Sequence, residues 1–175
     1  MIRRSILFSA IVAGLCCAPH ATAATILFDI LLDGLQETPP VATTGIGSGS
    51  LTLDDLTGDY TISGTFSDLL GTSNNAHIHG PAAVGVGPAG VIVGLIFDFG
   101  VTSGAFSGAG TFTAPQMADL LAELYYVNIH SSIQPGGEIR GQITQVPEPA
   151  SVVLMAVGGL ALTAVWRARR RRTAA

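Results

Sequence analysis

The sequence predicts an all-β protein, an antiparallel β-sandwich with one short helix, flanked by an N-terminal signal peptide and a short C-terminal transmembrane helix. Two observations lead to this prediction. Residues 24–145 form short runs in which apolar and polar side chains alternate, separated by glycine-rich turns. Each end of the chain carries a short apolar segment beside arginines, which is typical of targeting segments.

The N-terminal segment, residues 1–23, has the order of a cleavable signal peptide. Arg3 and Arg4 form a positive start, an apolar run follows over residues 6–17, and residues 21–23 have the A-x-A cleavage pattern. The apolar run has about 12 residues, which is too short to cross a bilayer. A permanent N-terminal anchor is therefore the weaker alternative.

Both cysteines of the chain, Cys16 and Cys17, lie within this segment. A lipoprotein anchor is a further alternative, but Leu15 is bulky where such a signal has a small residue. Once the segment is removed, the remaining chain has no thiol for a disulfide or for a thiolate metal site. Its stability must then come from the packed core.

The domain of residues 24–145 is expected to contain about seven strands. In Asp59–Ser67, apolar side chains at even positions alternate with polar ones at odd positions, which predicts a half-buried strand. Asp54–Gly58 is predicted as the hairpin loop before it. Thr25–Leu32 and Val91–Phe99 are nearly continuous apolar runs, which favours central strands covered on both faces. The remaining strand segments are Leu51–Leu53, Ala76–His79, Tyr125–His130 and Glu138–Thr144.

One helix is predicted after Thr113. This residue can cap the helix, Gln116 can complete a capping box, and Pro115 lies in the first turn, where its missing N–H costs little. The apolar residues that follow share one helical stripe, which we expect to pack on the end of the sheet. They are Met117, Leu120, Leu121 and Leu124.

The C-terminal segment, residues 146–172, begins with Pro147, Glu148 and Pro149. A predicted transmembrane helix follows over residues 150–166 and a basic tail over residues 167–172. Its fifteen-residue apolar run reaches only about 22 Å against a hydrocarbon core of about 30 Å. The arginines predict a cytoplasmic C-terminus, which leaves the domain on the outer side.

The order of Pro-Glu-Pro, short apolar helix and basic cluster resembles the PEP-CTERM sorting signal of Gram-negative bacteria. The resemblance implies recognition by an exosortase, cleavage near residues 147–150, and transfer to the cell surface or release. Before cleavage the chain would be held in the membrane by its C-terminal helix. A plain C-terminal anchor is the alternative.

The charges divide the chain into an acidic middle and basic ends. Of eight arginines and lysines, all arginine, seven lie in the terminal segments, and the twelve acidic residues all lie within residues 24–149. With Arg140 as its one cation, that stretch has a net charge of −11. An acidic domain of this kind excludes nucleic acid as a partner and suits a soluble extracellular surface.

Three histidines are the candidate functional residues of the domain. Because side chains alternate across a strand, His77 and His79 share one face, with Cα atoms about 6.6–6.8 Å apart, while Ile78 points inward. In the predicted strand Tyr125–His130, Asn128 and His130 share a face, opposite Val127 and Ile129. In the predicted strand Glu138–Thr144, Glu138 and Arg140 lie opposite Ile139 and Ile143. If these strands are neighbours, the polar residues form one cluster, His77, His79, His130, Asn128, Glu138 and Arg140.

These motifs also resemble a known family. Leu35–Pro40, Ala76–Pro81, Tyr126–His130 and Pro135–Gln142 occur in the order found in the CHRD domain, named from the repeats of chordin. The resemblance covers about residues 26–144. It implies an immunoglobulin-like β-sandwich of the kind present in exported bacterial proteins, and the growth-factor binding of chordin is not carried over.

Two interpretations of the histidines remain open. Two histidines at i and i+2 with a third from another strand are a plausible zinc or copper site, centred on His77, His79 and His130. In the other interpretation the same residues form a structural network, in which Arg140 pairs with Glu138 or another carboxylate. No cofactor is required in that case.

Other motifs give no catalytic prediction. Residues 85–90 match G-x-G-x-x-G, but no βαβ pattern surrounds them and a strand follows, so a flexible loop is expected. No nucleophile elbow is present. Asp54, Asp55 and Asp59 depart from the EF-hand spacing, which favours a solvated hairpin over a calcium site.

The sequence therefore predicts an exported, non-enzymatic protein of the cell surface or extracellular matrix, with a structural, adhesive or binding role. Signal peptidase and exosortase would process it, and extracellular polysaccharide or surface proteins are its expected partners. The alternative is a metal-binding or redox domain that uses the histidines.

Overall fold

The computed structural model describes residues 24–147, together with the three helical positions Val157, Leu160 and Thr163. Within residues 24–147 the chain forms nine strands, one 3₁₀ turn at Gly34–Gln36 and one α-helix, α1, at Ala114–Leu121. The strands are β1 Thr25–Asp33, β2 Ile46–Asp54, β3 Asp59–Ser67, β4 Ser73–His79, β5 Val91–Gly94, β6 Ile96–Phe97, β7 Gly104–Thr111, β8 Tyr126–Ser131 and β9 Ile139–Gln145.

The nine strands form one antiparallel sheet in the order β5-β4-β8-β9-β1-β2-β3-β7-β6. β5 and β6 follow each other in the chain but lie at opposite ends of this order. β5 pairs with β4 and β6 pairs with β7, while the Leu95 N–H between them donates to the Ala76 carbonyl at 2.9 Å. Residues 91–97 therefore nearly close the sheet, and the predicted all-β antiparallel class with one short helix is confirmed.

Alternation explains where the core lies. In β3 the side chains of Tyr60, Ile62 and Phe66 are buried, and the odd positions between them face outward. The inward side chains of strands from both halves of the sheet meet in one hydrophobic cluster. Ile78, Val127, Ile129, Ile139 and Ile143 belong to it, as their sequence pattern predicts.

The two apolar runs predicted to be covered on both faces are not so covered. β1 is central in the sheet, but Leu27 and Leu31 on its outer face are 51% and 70% exposed. The run Val91–Phe99 forms the two short edge strands β5 and β6 instead of one central strand. Hydrophobic continuity alone did not distinguish a strand buried on both faces from one that exposes leucines.

The sequence pattern missed β7, which pairs with β3 over eight residues. Its residues are mostly glycine, alanine and serine, so they carry little apolar alternation. Phe106 is its one large buried side chain, and its ring lies over Gly64 of β3. A small residue at position 64 therefore leaves room for the aromatic ring that anchors β7.

The predicted hairpin at Asp54–Gly58 is present. The Asp54 carboxylate accepts from the N–H groups of Leu56 and Thr57 at 2.9 and 2.8 Å, and Gly58 adopts a φ of +79° that favours glycine. Asp59 and Asp55 also accept hydrogen bonds within the domain, from Thr111 and from the Ala24 N–H. The three carboxylates thus stabilise the turn and the neighbouring strands by accepting hydrogen bonds.

The helix begins where the capping residues predict. The Thr113 N–H and hydroxyl both donate to the Gln116 side-chain oxygen at 2.9 Å. Leu120 is fully buried and Met117 packs against the core, but Leu121 is 42% exposed. The apolar stripe is thus narrower than expected.

Several sequence predictions lie outside the described residues. They are the signal peptide of residues 1–23, Glu148 and Pro149 of the sorting motif, the basic tail and, apart from three positions, the C-terminal apolar segment. None of the helices among the residues that the structure describes has the length and apolar character needed to cross a membrane.

Gly64→Ala should destabilise the domain by about 1–3 kcal/mol, because the added methyl group would enter the volume of the Phe106 ring. Gly94→Ala is the matched control, since no atom lies within 4 Å of the position that its added methyl group would take on the strand. It should change stability by less than about 0.5 kcal/mol. Denaturant unfolding of the two variants measures the difference, and equal stabilities would contradict this account of β7.

Candidate metal centre

The outer face of β4, β8 and β9 carries five of the six polar residues singled out from the sequence, all except Glu138, which directly precedes β9. The three strands are neighbours, as the predicted cluster requires. Across them His77 pairs with Asn128 and Asn128 with Arg140, while His79 pairs with Tyr126. This face is buried beneath loops instead of facing solvent, since Asn128 and Arg140 are 3% and 1% exposed.

The three histidines converge on this face. His77 and His79 come from β4 and His130 from β8, and each offers a ring nitrogen within 4.8 Å of the other two. Nδ1 of His77 and Nε2 of His130 are 3.2 Å apart. The ring centroids are separated by 5.0–5.8 Å.

Backbone carbonyls orient two of the three rings. Nδ1 of His79 is 3.0 Å from the Ala89 carbonyl oxygen, and Nδ1 of His130 is 2.9 Å from that of Pro135. Because a carbonyl only accepts, each Nδ1 must carry the proton, which leaves a lone pair on each Nε2. Nε2 of His79 is buried and has no hydrogen-bond partner among the described residues.

This arrangement fits a zinc or copper ion. Histidine ligands of such ions usually donate a hydrogen bond from the N–H of their second ring nitrogen to a carbonyl or carboxylate, as His79 and His130 do here. Two nitrogens bound to one tetrahedral ion lie about 3.3–3.4 Å apart, and His77 and His130 come close to this spacing at 3.2 Å. The three nitrogens together lie within 4.8 Å of one another, so binding one ion requires the rings to draw closer. Three histidines leave one coordination position for an outside ligand, and a bound ion would act there as a Lewis acid or as a link between β4 and β8.

Burial favours the neutral form of two of the rings. Burial, together with the nearby rings of His130 and His79, lowers the pKa of His77. Burial also lowers the pKa of His130, and it outweighs the opposing effect of the Pro135 carbonyl. A neutral imidazole is the form that binds metal, so few protons compete for these nitrogens at neutral pH.

The expected pair of Arg140 with Glu138 does not form. Arg140 donates to the carbonyls of Val86 and Ala83 and to the Gln142 side chain, at 2.9, 3.3 and 3.3 Å. Its guanidinium carbon also lies 3.5 Å from the centre of the Tyr126 ring, a cation–π contact. The side chain thus binds a loop and an aromatic ring, and the carboxylate whose charge acts on it is that of Glu37 instead of Glu138.

Glu138 is fully buried directly before β9 and binds other partners. Its carboxylate accepts from the Thr43 hydroxyl at 2.6 Å and from the N–H groups of Leu70 and Gly71. Burial alone would raise the pKa of Glu138, but hydrogen bonds from these groups and Ser131 outweigh it and lower the pKa. Glu138 therefore joins two loops to the turn before β9, and none of its hydrogen bonds goes to Arg140.

Asn128 lies beside an acidic residue that the sequence pattern did not single out. Glu37 is 7% exposed, and its Oε1 and the Asn128 Oδ1 are both buried without a hydrogen-bond partner among the described residues. Both side chains crowd the α-carbon of Gly137, where a methyl group would collide with them. Burial raises the pKa of Glu37 to about 7, although the charge of Arg140 acts against it.

Sequence reasoning also missed the groups that orient the histidines. The carbonyls of Ala89 and Pro135 leave no side-chain signature, so no pattern could indicate them. Tyr126 could have been found, because it precedes Asn128 and His130 at the same two-residue spacing and therefore shares their face. Its ring stacks on His79 at 5.2 Å with an interplanar angle of 8°.

The fold and the site define a class of protein, an antiparallel all-β domain with a polar, histidine-containing face beneath its loops. The family model of the CHRD domain matches residues 28–143, and the chain belongs to this family, a non-catalytic β-fold domain family. The PEP-CTERM protein-sorting motif matches residues 145–171. Both resemblances predicted from the sequence are thereby confirmed. Comparison with curated proteins and with solved structures gave no match.

Glu37→Gln should change how stability depends on pH. The folded pKa of Glu37, about 7, lies above its ordinary value of 4.5, so the folded protein holds more protons than the unfolded chain between these values. The contribution of Glu37 to stability is therefore present below about pH 4.5 and is lost as pH rises towards 7. The neutral glutamine has no such loss.

Denaturant unfolding at pH 5 and pH 8 measures this effect. The stability of Glu37→Gln relative to the parent should increase from pH 5 to pH 8, while other titrating groups cancel in the difference. Asp29→Asn, which removes a negative charge from an exposed position of β1, is the control. A difference that stays constant across the range would show that Glu37 is ionised in the folded protein.

Proposed function

We propose that this CHRD protein acts at the cell surface as a non-catalytic binding or structural domain that holds a zinc or copper ion through His77, His79 and His130. The observation that carries the proposal is the convergence of three ring nitrogens, two of them oriented by backbone carbonyls. The family and the sorting motif support the location. The role in contact with polysaccharide or surface proteins belongs to the same proposal.

The location follows from the sorting motif. That motif directs export and targeting to the cell envelope and implies processing by an exosortase. We infer that cleavage then leaves the domain on the cell surface or outside the cell. The acidic charge of residues 24–149 suits contact with cations and hydrated polymers more than with anionic partners.

A bound ion would join two adjacent strands by their side chains, His77 and His79 on β4 to His130 on β8. Binding to the folded state alone stabilises that state, and the effect grows with metal concentration. Because residues 24–145 contain no cysteine, no disulfide within this domain can link its strands. The fourth ligand position would be open to a donor group from a surface polymer or protein.

A structural network without metal is the second candidate. It is supported by the hydrogen bond between His77 and His130 and by the buried position of His79. In that case the histidines support the loops above them, and no metal is retained. Both candidates predict that His79→Ala lowers stability, but only the first predicts that metal raises the stability of the parent.

Zinc titration of the exported protein, after treatment with a chelator, distinguishes the two candidates. The parent should bind one Zn²⁺ per chain with a rise in melting temperature. His79→Ala and His130→Ala should each weaken binding more than about 100-fold, since loss of a ligand exceeds the 10–100-fold effect of outer groups. Copper is titrated in the same way.

Asn74→Ala is the matched control, because Asn74 is exposed on the same strand as His77 and His79. It should bind metal as the parent does. A parent that neither retains metal nor gains stability from zinc or copper would remove the metal proposal and leave the structural network.

Changing Pro147, Glu148 and Pro149 together to alanine should stop processing of the C-terminal segment. In a host that contains an exosortase, the variant should accumulate in the membrane fraction at its unprocessed mass, while the parent appears on the surface or in the medium. Thr173→Ala, beyond the matched motif, is the control. Surface delivery of the triple variant at the parental level would contradict the proposed route.

A further inference from the structure

The 80–90 loop, Gly80 to Gly90, connects β4 to β5 and covers the histidine-bearing face of the sheet. The Gly80 N–H donates to the Gly90 carbonyl at 3.1 Å, which closes the loop at its base. Most of its residues are exposed, including Val84 and Val86 at 69% and 58%. Few apolar contacts therefore hold the loop in place.

Polar side chains from β9 hold it instead. Arg140 donates to the carbonyls of Val86 and Ala83, and Gln142 donates to that of Ala82 at 3.0 Å. These bonds also satisfy the buried guanidinium, which would be costly to bury without acceptors. The loop position and the Arg140 position therefore depend on each other.

Ala89 connects this loop to the candidate metal site. Its N–H donates to the Tyr126 hydroxyl at 3.1 Å, and its carbonyl accepts from Nδ1 of His79 at 3.0 Å. Tyr126 in turn lies against both the His79 ring and the Arg140 guanidinium. A shift of the loop would move the carbonyl that sets the orientation of His79.

We propose that Arg140 and Tyr126 are positioning residues for the metal ligand His79, acting through the 80–90 loop, and that a bound ion in return holds this loop against the sheet. The inference rests on the proposed metal function. Neither residue is among the three proposed ligands. Linkage requires the coupling to be reciprocal: what the loop adds to metal affinity, the metal adds to loop closure.

The direction in which Arg140→Met changes metal affinity distinguishes positioning from charge repulsion. Arg140 is a cation near a site for a divalent cation, so its repulsion alone would make Arg140→Met bind metal more tightly. Positioning predicts the opposite, because the loop loses two of its anchors. Arg140→Lys keeps the charge but cannot donate to both carbonyls in the same planar arrangement, so it too should bind more weakly.

The first measurement is zinc affinity of the exported protein, by competition with a chelator of known affinity. Arg140→Met should bind Zn²⁺ about 10–100-fold more weakly than the parent, as is usual for groups that orient a metal ligand. Tyr126→Phe keeps the ring and loses only the acceptor of the Ala89 N–H. It gives a test if Arg140→Met does not fold, and it should bind more weakly with little change in metal-free melting temperature.

Two further measurements report the orientation of His79 and the closure of the 80–90 loop. A residue with only a structural role would leave both unchanged. The visible absorption of the Co²⁺-loaded protein should change in Tyr126→Phe, because the orientation of His79 alters the ligand field. Amide hydrogen exchange at Ala89 and Val86 should slow when Zn²⁺ is added to the parent and should respond less in the variants. Asn74→Ala should match the parent in every measurement.

The outcomes are distinguishable. Zinc binding by the parent, with Tyr126→Phe and Arg140→Lys within twofold of its affinity, would overturn the coupling and leave the metal site. Tighter binding by Arg140→Met would show that charge repulsion dominates, which also overturns the coupling. If the parent binds neither zinc nor copper, the proposed metal function and the coupling fall together.

Discussion

The structure depends on burying a polar face of its sheet. The outer sides of β4, β8 and β9 carry histidines, asparagine, arginine and glutamine, yet loops cover them and leave most of these side chains buried. Buried polar groups cost free energy unless they find partners, and the carbonyls of the covering loops supply many of them. The loops are therefore held by hydrogen bonds to the sheet, and the sheet residues are held by the same bonds. Glu138, Arg140 and His130 each illustrate this mutual dependence.

The other half of the sheet follows a different rule. On β2 and β3 the outward side chains are mostly serine and threonine, and they remain exposed to solvent. Its stability comes from the inward side chains, which form one cluster shared by both halves. Residues 91–97 connect the halves by pairing with β4 at one edge and β7 at the other. One contiguous core and one covered polar face thus together stabilise a domain that has no cysteines.

The covered face explains how a metal site would fit in this antiparallel all-β fold. Histidines on an exposed strand would rotate freely, but here Ala89 and Pro135 orient two of them, and Tyr126 stacks on one. Such preorganisation lowers the cost of binding an ion. Because the orienting groups belong to loops, the same design links metal affinity to loop order. The proposed coupling would give a small exported domain a physical route for responding to the metal content of its surroundings.

Sequence by itself determined what depends on near neighbours in the chain. A nearly continuous apolar run located β1 almost to the residue, and alternation located β3 and put His77 and His79 on one face. The capping residues located the helix, because all of these features lie within a short stretch of the chain. The sorting motif and the family were also evident from local motifs.

Tertiary structure decided the strand order, the closure of the sheet by residues 91–97 and the partners of the buried charges. Thr43 meets Glu138 from 95 residues away and Val86 meets Arg140 from 54, and no local spacing encodes such contacts. The missed strand β7 belongs here too, since its pairing with β3 and the packing of Phe106 over Gly64, not its own weak pattern, make it a strand.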